Sequence, residues 1–197
     1  MSVNLTKGQR VDLTKPGDAG LKKVIVGLGW DEVEQKRGLF GKKPEDIDCD
    51  ASAILISTGG KLTSNDDVVF YHNLNHKSGA VNHQGDNLTG KGDGDDEQII
   101  VDLPDIPQNY EKIVFTVTIY QAKERGQSFG MIKNAFIRIV DASNGSELFR
   151  YNLTENFEGR TALVFGELYR RNGGWKFSAI GEATNDNGIS EMARRFL

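Results

Sequence analysis

The sequence predicts an all-β protein, an antiparallel β-sandwich of two sheets with a few short helices. Three observations support this class: short apolar and β-branched runs recur along the 197 residues, glycine, asparagine and aspartate turns separate them, and helical periodicity is sparse. Regularly spaced short strands with turn signals are typical of sandwiches. The length fits a single domain that spans residues 1–197.

Short apolar runs, each followed by a turn, recur along the whole chain and predict strands. In chain order the segments are KKVIVGLGW, SAILIS, DVVFYHNL, EQIIVDL, KIVFTVTIY, AFIRIVD, SELFRYNL, TALVFGELYRR and WKFSAIGEA. KIVFTVTIY is predicted to be a central strand, because it is rich in β-branched residues and contains neither glycine nor proline.

The connections carry local signals of their own. Asn172-Gly173-Gly174 predicts a tight hairpin, and Pro104 and Pro107 predict a turn. Short helical pieces are predicted in QAKERGQSFG and ISEMARRFL. DEVEQKRGLFGKKPED, residues 31–46, is interpreted as a long loop inside the domain, because strands resume directly after it.

Composition excludes several classes of protein. A net charge of -4 gives no basic footprint for nucleic acid or an anionic membrane. The first residues lack the apolar run of a signal peptide, and no segment approaches the roughly 18 apolar residues of a membrane span. Cys49 is the single cysteine, which excludes an internal disulfide and a cysteine-rich zinc site. We therefore expect a cytoplasmic protein without a transmembrane segment.

GDNLTGKGDGDDEQIIVDL, residues 85–103, combines features of an anion-binding loop with features of a cation-binding loop. GDNLTGKG nearly matches the phosphate-binding pattern GxxxxGK[ST], but Gly92 stands where the magnesium-binding hydroxyl belongs. A strand pattern follows, whereas phosphate binding needs a helix N-terminus. Four carboxylates, those of Asp93, Asp95, Asp96 and Glu97, would also repel an anion. This segment therefore does not fit a phosphate cradle.

A hard cation suits the same segment. Calcium takes six to eight oxygen ligands from carboxylates, amides and carbonyls in flexible geometry. The glycines let the chain fold back on itself, and Asp86 and Asn87 add oxygens at the other end of the loop. The segment is not an EF-hand, because Gln98 and Pro104 occupy the positions of the invariant glycine and the bidentate glutamate.

DIDCDAS is a second acidic stretch. Alternation along an extended chain places Asp46, Asp48 and Asp50 on one face, where they repel each other unless water or a cation separates them. A solvated acidic edge is the alternative interpretation. Two oxygen-rich stretches in one domain favour a shared cation site.

VGLGWD, DIDCDAS, GDNLTGKGDGDDEQIIVDL and FGELYRRNGGWKFSAIGEA resemble the tellurium-resistance TerD family of bacterial stress proteins, over residues 1–182. The resemblance implies a β-sandwich that binds calcium, as two ions. The family's metal loops fall on Asp46, Asp48, Asp86, Asn87, Asp93, Asp95, Asp96 and Glu97. The carbonyl oxygens of Thr89 and Lys91 are further donors, and Asp31 and Asp50 form a second tier. Ile47, Cys49 and a long basic loop after GWD depart from the family pattern without removing an oxygen ligand.

The resemblance also implies a function. It predicts a non-enzymatic role in resistance to tellurite, other chemical stress, phage or colicins, exerted with other stress-resistance proteins in a complex at the inner face of the membrane. Two alternatives use the same acidic loops: a metal-dependent hydrolase or phosphotransferase, and a nucleotide-binding module. The sequence identifies neither an open coordination position nor a general base for an enzyme.

Other polar residues have simpler interpretations. His72, His76 and His83 are close in sequence, but no helix is predicted to place them on one face. Glu167 is interpreted as a strand-surface carboxylate or as the ion-pair partner of an arginine, in preference to a catalytic group. The dispersed arginines, including Arg138, are expected on solvated faces. Cys49 lies among aspartates that raise a thiol pKa, so it is a poor nucleophile.

Overall fold

Alternating buried and exposed residues build two sheets that face each other across one hydrophobic core in a computed structural model of the chain. In Glu97–Asp102, for example, every second residue is buried, and Ile99 and Val101 point into the core. The structure describes residues 2–14, 21–32, 46–85, 94–155 and 157–197.

The strands and helices occupy most of these ranges. In chain order the strands are β1 (Val3–Leu5), β2 (Arg10–Asp12), β3 (Lys23–Glu32), β4 (Cys49–Ser57), β5 (Val68–Val69), β6 (Val81–His83), β7 (Glu97–Asp102), β8 (Tyr110–Ile119), β9 (Ile132–Asp141), β10 (Ser146–Asn152), β11 (Ala162–Arg171) and β12 (Gly174–Thr184). The helices are α1 (Ala122–Arg125) and α2 (Ile189–Arg194), with 3-10 turns at Asn65–Asp67 and Phe129–Met131.

Each sheet has six described strands. The first sheet has the order β1-β10-β9-β3-β7-β6, and the second has the order β2-β12-β11-β8-β4-β5. Neighbouring strands run antiparallel except β1 and β10, which run parallel. The predicted antiparallel sandwich is confirmed, with this one parallel pair at an edge.

The core lies between the sheets, and a smaller apolar cluster covers the outside of the second sheet. KIVFTVTIY forms most of β8, which lies between β11 and β4 as a central strand should. Its inner face buries Ile113, Phe115 and Val117. The outer cluster contains Val114 and the fully buried Met192 of α2. The last helix therefore caps the apolar outer face of the second sheet.

The predicted turns and short helices are confirmed. Arg171 pairs with Gly174, so Asn172 and Gly173 form a two-residue hairpin loop between β11 and β12. Their φ angles of 54° and 75° are the left-handed values that this turn requires. Both α1 and α2 lie within the segments predicted to be helical. Most of the predicted loop 31–46 lies outside the described residues.

One predicted strand, DVVFYHNL, is wrong over most of its length. Only Val68–Val69 form β5, and the chain then turns. The backbone N–H groups of Phe70 and Asn73 donate to each other's carbonyl oxygens, at 3.0 and 2.8 Å. The Asn73 amide also donates to the Val68 carbonyl at 2.8 Å. This local hydrogen bonding replaces a continued ladder.

None of the helices among the described residues is long and apolar enough to cross a membrane.

The packing of α2 gives a stability prediction. Met192→Ala removes a fully buried side chain from the outer cluster, so we expect the free energy of unfolding in urea to fall by about 2–5 kcal/mol. Arg194→Ala, at an exposed position of the same helix, is the control and should change it by less than about 0.5 kcal/mol. Equal effects of the two substitutions would show that α2 does not stabilise the sheet through Met192.

Candidate metal centre

Three strand ends bring several of the predicted acidic residues to one end of the sandwich. β7 begins at Glu97, which pairs with Leu28 near the end of β3. The Glu97 carboxylate accepts a hydrogen bond from the backbone N–H of Ala51, near the start of β4. Asp31 at the end of β3, Asp96 just before β7 and Asp48 just before β4 therefore lie at the same end.

Two glycines of VGLGWD leave room for Gly94 and Asp95, the described end of the acidic loop 85–97, on the outer face of the first sheet. A side chain at Gly27 would overlap the Asp95 carboxylate. One at Gly29 would overlap the Phe136 ring and come within 2.8 Å of the Gly94 carbonyl oxygen. Glycine inside a strand often marks such a close approach. The motif is therefore the surface against which Gly94 and Asp95 pack.

Asp95 is held on that surface by Arg138. Its side chain is only 1% exposed. Arg138 donates from Nε to Asp95 Oδ1 at 2.6 Å and from Nη2 to Oδ2 at 3.0 Å. The hydrogen bond to Asp95 raises the pKa of Arg138. Arg138 was expected on a solvated face; that expectation is wrong, because a carboxylate distant in sequence folds over it.

Asp96 lies in a more negative environment. Its Oδ2 accepts a hydrogen bond from the backbone N–H of Trp30 at 2.7 Å. Burial raises the pKa of Asp96, and the charges of Asp31 and Asp95 raise it further, against the lowering effect of the Trp30 N–H. Asp31 in turn accepts a hydrogen bond from the Asn134 amide at 2.7 Å.

Glu97 and His83 lie between the two sheets. Glu97 is 2% exposed, and its carboxylate is 3.6 Å from His83 Nε2. His83 Nδ1 accepts a hydrogen bond from the backbone N–H of Gly85 at 3.1 Å. Nε2 therefore carries the proton in the neutral ring and donates it to the Ala51 carbonyl at 3.2 Å. Both side chains tie the acidic end to β4.

The second acidic stretch faces away from the core. Ile47 and Cys49 are buried in the core, while Asp46 and Asp48 are half-buried. Asp50 is 5% exposed and lies with Thr118 on the outer face of the second sheet. The structure thus separates Asp50 from Asp31 and Asp95, which belong to the outer face of the first sheet.

The remaining predicted ligands lie outside the described residues. They are Asp86, Asn87, Thr89, Lys91 and Asp93. Within the described ranges, no three histidine, cysteine, aspartate or glutamate side chains are placed to hold a metal ion by themselves. The full ligand set therefore stays a prediction that depends on the loop 86–93.

The histidines do not form one site in the part of the chain that the structure describes. His72 is exposed, and His83 binds Ala51 and Gly85. His76 is buried, with Nδ1 2.7 Å from the Ser78 hydroxyl and Nε2 3.4 Å from Asp67 Oδ1.

Asp67 is the centre of a separate buried network that no sequence pattern indicated. It is fully buried and accepts hydrogen bonds from Tyr110 at 2.7 Å, Lys77 at 2.8 Å and Thr63 at 2.9 Å. Burial alone would raise the pKa of Asp67, but these donors lower it below the usual value. The network joins the turns around β5 to β8.

Glu167 forms an ion pair, as predicted, but with Lys112 at 2.8 Å.

Taken together, the fold and the site define a class of protein: a β-sandwich whose acidic loop packs on a glycine-containing strand. The chain belongs to the TerD family, since the family model for the TerD domain matches residues 1–196. The resemblance seen in the sequence motifs is therefore confirmed.

Individual relatives agree with this assignment. The chain is 49% identical over 201 residues to stress response protein SCP2 of Bacillus subtilis (strain 168), covering 100% of both chains. It is 48% identical over 182 residues to tellurium resistance protein TerD of Serratia marcescens, covering 92% of this chain and 91% of that one. A crystal structure of a TerD homologue from Streptomyces coelicolor A3(2) has the same fold, with a TM-score of 0.62 and 22% identity over 85% of this chain and 92% of that one.

The Asp67 network predicts how stability depends on pH. Burial lowers the pKa of His76, although Asp67 and Asp66 oppose this and Lys77 reinforces it. A lowered folded-state pKa means that stability is complete above the unfolded pKa of about 6.5 and is lost as pH falls through the folded value. Asp67 adds a second loss below about pH 4, again because its folded pKa is lowered.

His76→Gln isolates the part of the pH dependence that His76 causes, which lies at higher pH than the part caused by Asp67. We expect this variant to lose about 1 kcal/mol of stability at pH 7, and its unfolding free energy to depend less on pH between 7 and 5 than that of the wild type. His72→Gln, at an exposed ring, is the control and should keep the wild-type profile. Parallel profiles for wild type and His76→Gln, measured by urea unfolding, would contradict the assignment.

Proposed function

We propose that this protein is a non-enzymatic stress protein that binds two calcium ions at the acidic end of the sandwich and presents a calcium-organised surface to partner proteins. Membership of the TerD family, whose relatives are named as tellurium resistance and stress response proteins, supports the stress role. The proposed partners are other stress-resistance proteins, in a cytoplasmic complex at the inner face of the membrane.

The observation that carries the calcium proposal is the environment of Asp96. The fold half-buries this carboxylate, which raises its pKa, and the charges of Asp31 and Asp95 raise it further. A divalent cation would reverse that effect, because it stabilises ionised carboxylates. The donor set consists of oxygens, which fits calcium.

The residues that would hold the ions come from both acidic stretches. Asp31 at the end of β3 and Asp96 just before β7 would supply carboxylates, as would Asp46 and Asp48, which precede β4 at the same end. The loop 86–93 would supply Asp86, Asn87, Asp93 and the carbonyl oxygens of Thr89 and Lys91. When bound, calcium would neutralise the carboxylates and fix these segments relative to each other.

The surroundings of the site favour binding over catalysis. A metal-dependent hydrolase needs a general base beside the ion. His83, which lies beside Glu97, is 4% exposed, and both of its ring nitrogens take part in hydrogen bonds to the backbone. Its role is to join the acidic end to β4, which suits a structural ion.

Ion titration tests the proposal directly. Calorimetry on metal-stripped protein should show calcium binding well ahead of magnesium, because flexible carboxylates and carbonyls suit calcium whereas magnesium demands an octahedral, partly hydrated site. Asp96→Asn should abolish binding of at least one ion. Asp105→Asn, at an exposed position in the turn before β8, is the control and should bind like the wild type. Equal affinities for the two ions would favour the hydrolase alternative.

Growth on tellurite distinguishes protection that depends on calcium binding from protection that depends on the Cys49 thiol. In cells that depend on this protein for protection, Asp96→Asn should lose protection and Cys49→Ala should keep it. Cys49 is fully buried in the apolar core, so alanine removes the sulfur without adding a buried hydroxyl. Loss of protection in Cys49→Ala, at wild-type protein levels and calcium affinity, would show that protection requires the Cys49 thiol.

A further inference from the structure

We propose that Arg138 is a positioning residue for the calcium site, and that Asp95 is the anchor of the acidic loop instead of a metal ligand. The assignment rests on the proposed calcium function. It divides the consecutive acidic residues by role: Asp95 anchors the segment, Asp96 stays a proposed ligand, and one carboxylate oxygen of Glu97 binds the backbone of β4.

Both carboxylate oxygens of Asp95 are already engaged. Oδ1 accepts from Arg138 Nε at 2.6 Å, and Oδ2 accepts from Arg138 Nη2 at 3.0 Å and from the Gln98 amide at 2.9 Å. Two parallel bonds from one guanidinium are the strongest and most directional way for a protein to hold a carboxylate. With the Asp95 side chain 1% exposed, a calcium ion on these oxygens would lie close to the positive charge of the half-buried Arg138.

Three neighbouring strands build the seat for Asp95. Gly27 of β3 pairs with Arg138 of β9 on one side and with Gln98 of β7 on the other. The two hydrogen-bonding side chains thus flank a position that has no side chain, and Asp95 occupies the space above it. A pair that required only opposite charges would not need this gap.

Arg138 is itself held in place. Its Nη1 donates to Glu147 at 3.3 Å, and Glu147 also accepts from the Ser2 hydroxyl at 2.6 Å. Arg150 bonds Glu147 at 3.5 Å and stacks on the Phe136 ring, with its guanidinium 3.6 Å from the ring centroid. The clamp, by which we mean the Arg138–Asp95 ion pair, therefore connects the described end of the acidic loop to β9, β10 and the residue that precedes β1.

The contacts of Asp95 also position Asp96, the next residue in the sequence and a proposed ligand. With Asp95 fixed on the outer face of β3 and the Asp96 carboxylate bonded to the Trp30 N–H, the chain has little freedom between these two points. Partners that orient a metal ligand from outside the coordination sphere typically contribute about 10–100-fold in affinity.

The test uses two substitutions that leave every proposed ligand intact. Arg138→Lys keeps the positive charge but loses the two-pronged geometry, and Gly27→Ala keeps the arginine but fills the seat of Asp95. Both should lower calcium affinity in calorimetry by about 10–100-fold without changing the number of ions bound. Asp95→Asn should behave in the same way.

Arg170→Lys is the matched control. Arg170 also lies on a strand and donates to two carbonyl oxygens, those of Ile106 at 2.6 Å and Tyr110 at 3.1 Å, but it belongs to the second sheet. Its replacement should lower the melting temperature and leave calcium affinity at the wild-type value, which separates positioning from general stability.

Two results would overturn the assignment. Unchanged or tighter calcium binding by Arg138→Lys would show that the clamp does not support the site, and loss of one ion from the stoichiometry of Asp95→Asn would make Asp95 a ligand. Failure of the proposed function looks different, because the wild type itself would not bind calcium. In that case amide exchange still tests the anchor: residues 94–98 should exchange faster in metal-free Arg138→Lys, and unchanged exchange rejects it.

Discussion

The ion pair between Asp95 and Arg138 fixes where the acidic segment 94–97 lies. The Asp95 side chain is 1% exposed and Arg138 is half-buried, and a buried carboxylate without a cation would carry a desolvation cost of several kcal/mol. Its position over Gly27 fixes the end of the loop against β3, and Asp96 and Glu97 follow from there along the chain. The Trp30 and Ala51 backbone N–H groups then receive these next two carboxylates. One interaction thus places three consecutive acidic residues on three different surfaces.

β3 can support this arrangement because its inner face packs in the core while its outer face leaves space for Gly94 and Asp95. Its inner face buries Val24, Val26, Leu28 and Trp30 in the core, which fixes the strand between β9 and β7. Its outer face carries Gly27 and Gly29, so the strand contributes backbone and space there instead of side chains. Since glycine weakens a strand, such a pair is tolerable only in a strand paired on both sides and well packed on its inner face.

The parts of this structure that the sequence predicts are those with local causes. Asn172-Gly173 forms its hairpin because both residues accept left-handed φ angles, and β8 is central because its β-branched residues fit a strand paired on both sides. DVVFYHNL misleads because Asn73 forms a local turn in place of the ladder. Arg138 is interpreted wrongly for another reason. Its partner lies 43 positions away, and only the register of β9 with β3 brings the two together.

Two carboxylates, the buried Asp67 and the half-buried Asp96, lie in surroundings of opposite charge. Asp67 is surrounded by Lys77, Tyr110 and Thr63, and their hydrogen bonds lower its pKa despite full burial. Burial raises the pKa of Asp96, and the nearby charges of Asp31 and Asp95 raise it further, against the lowering effect of the Trp30 N–H. Both carboxylates belong to the same sandwich and differ in the sign of the charge around them. The first is satisfied by the protein's own cation and hydroxyl groups, as a structural carboxylate should be. The second lies among negative charges that a divalent cation would offset, and this contrast is why the proposed calcium site centres on Asp96.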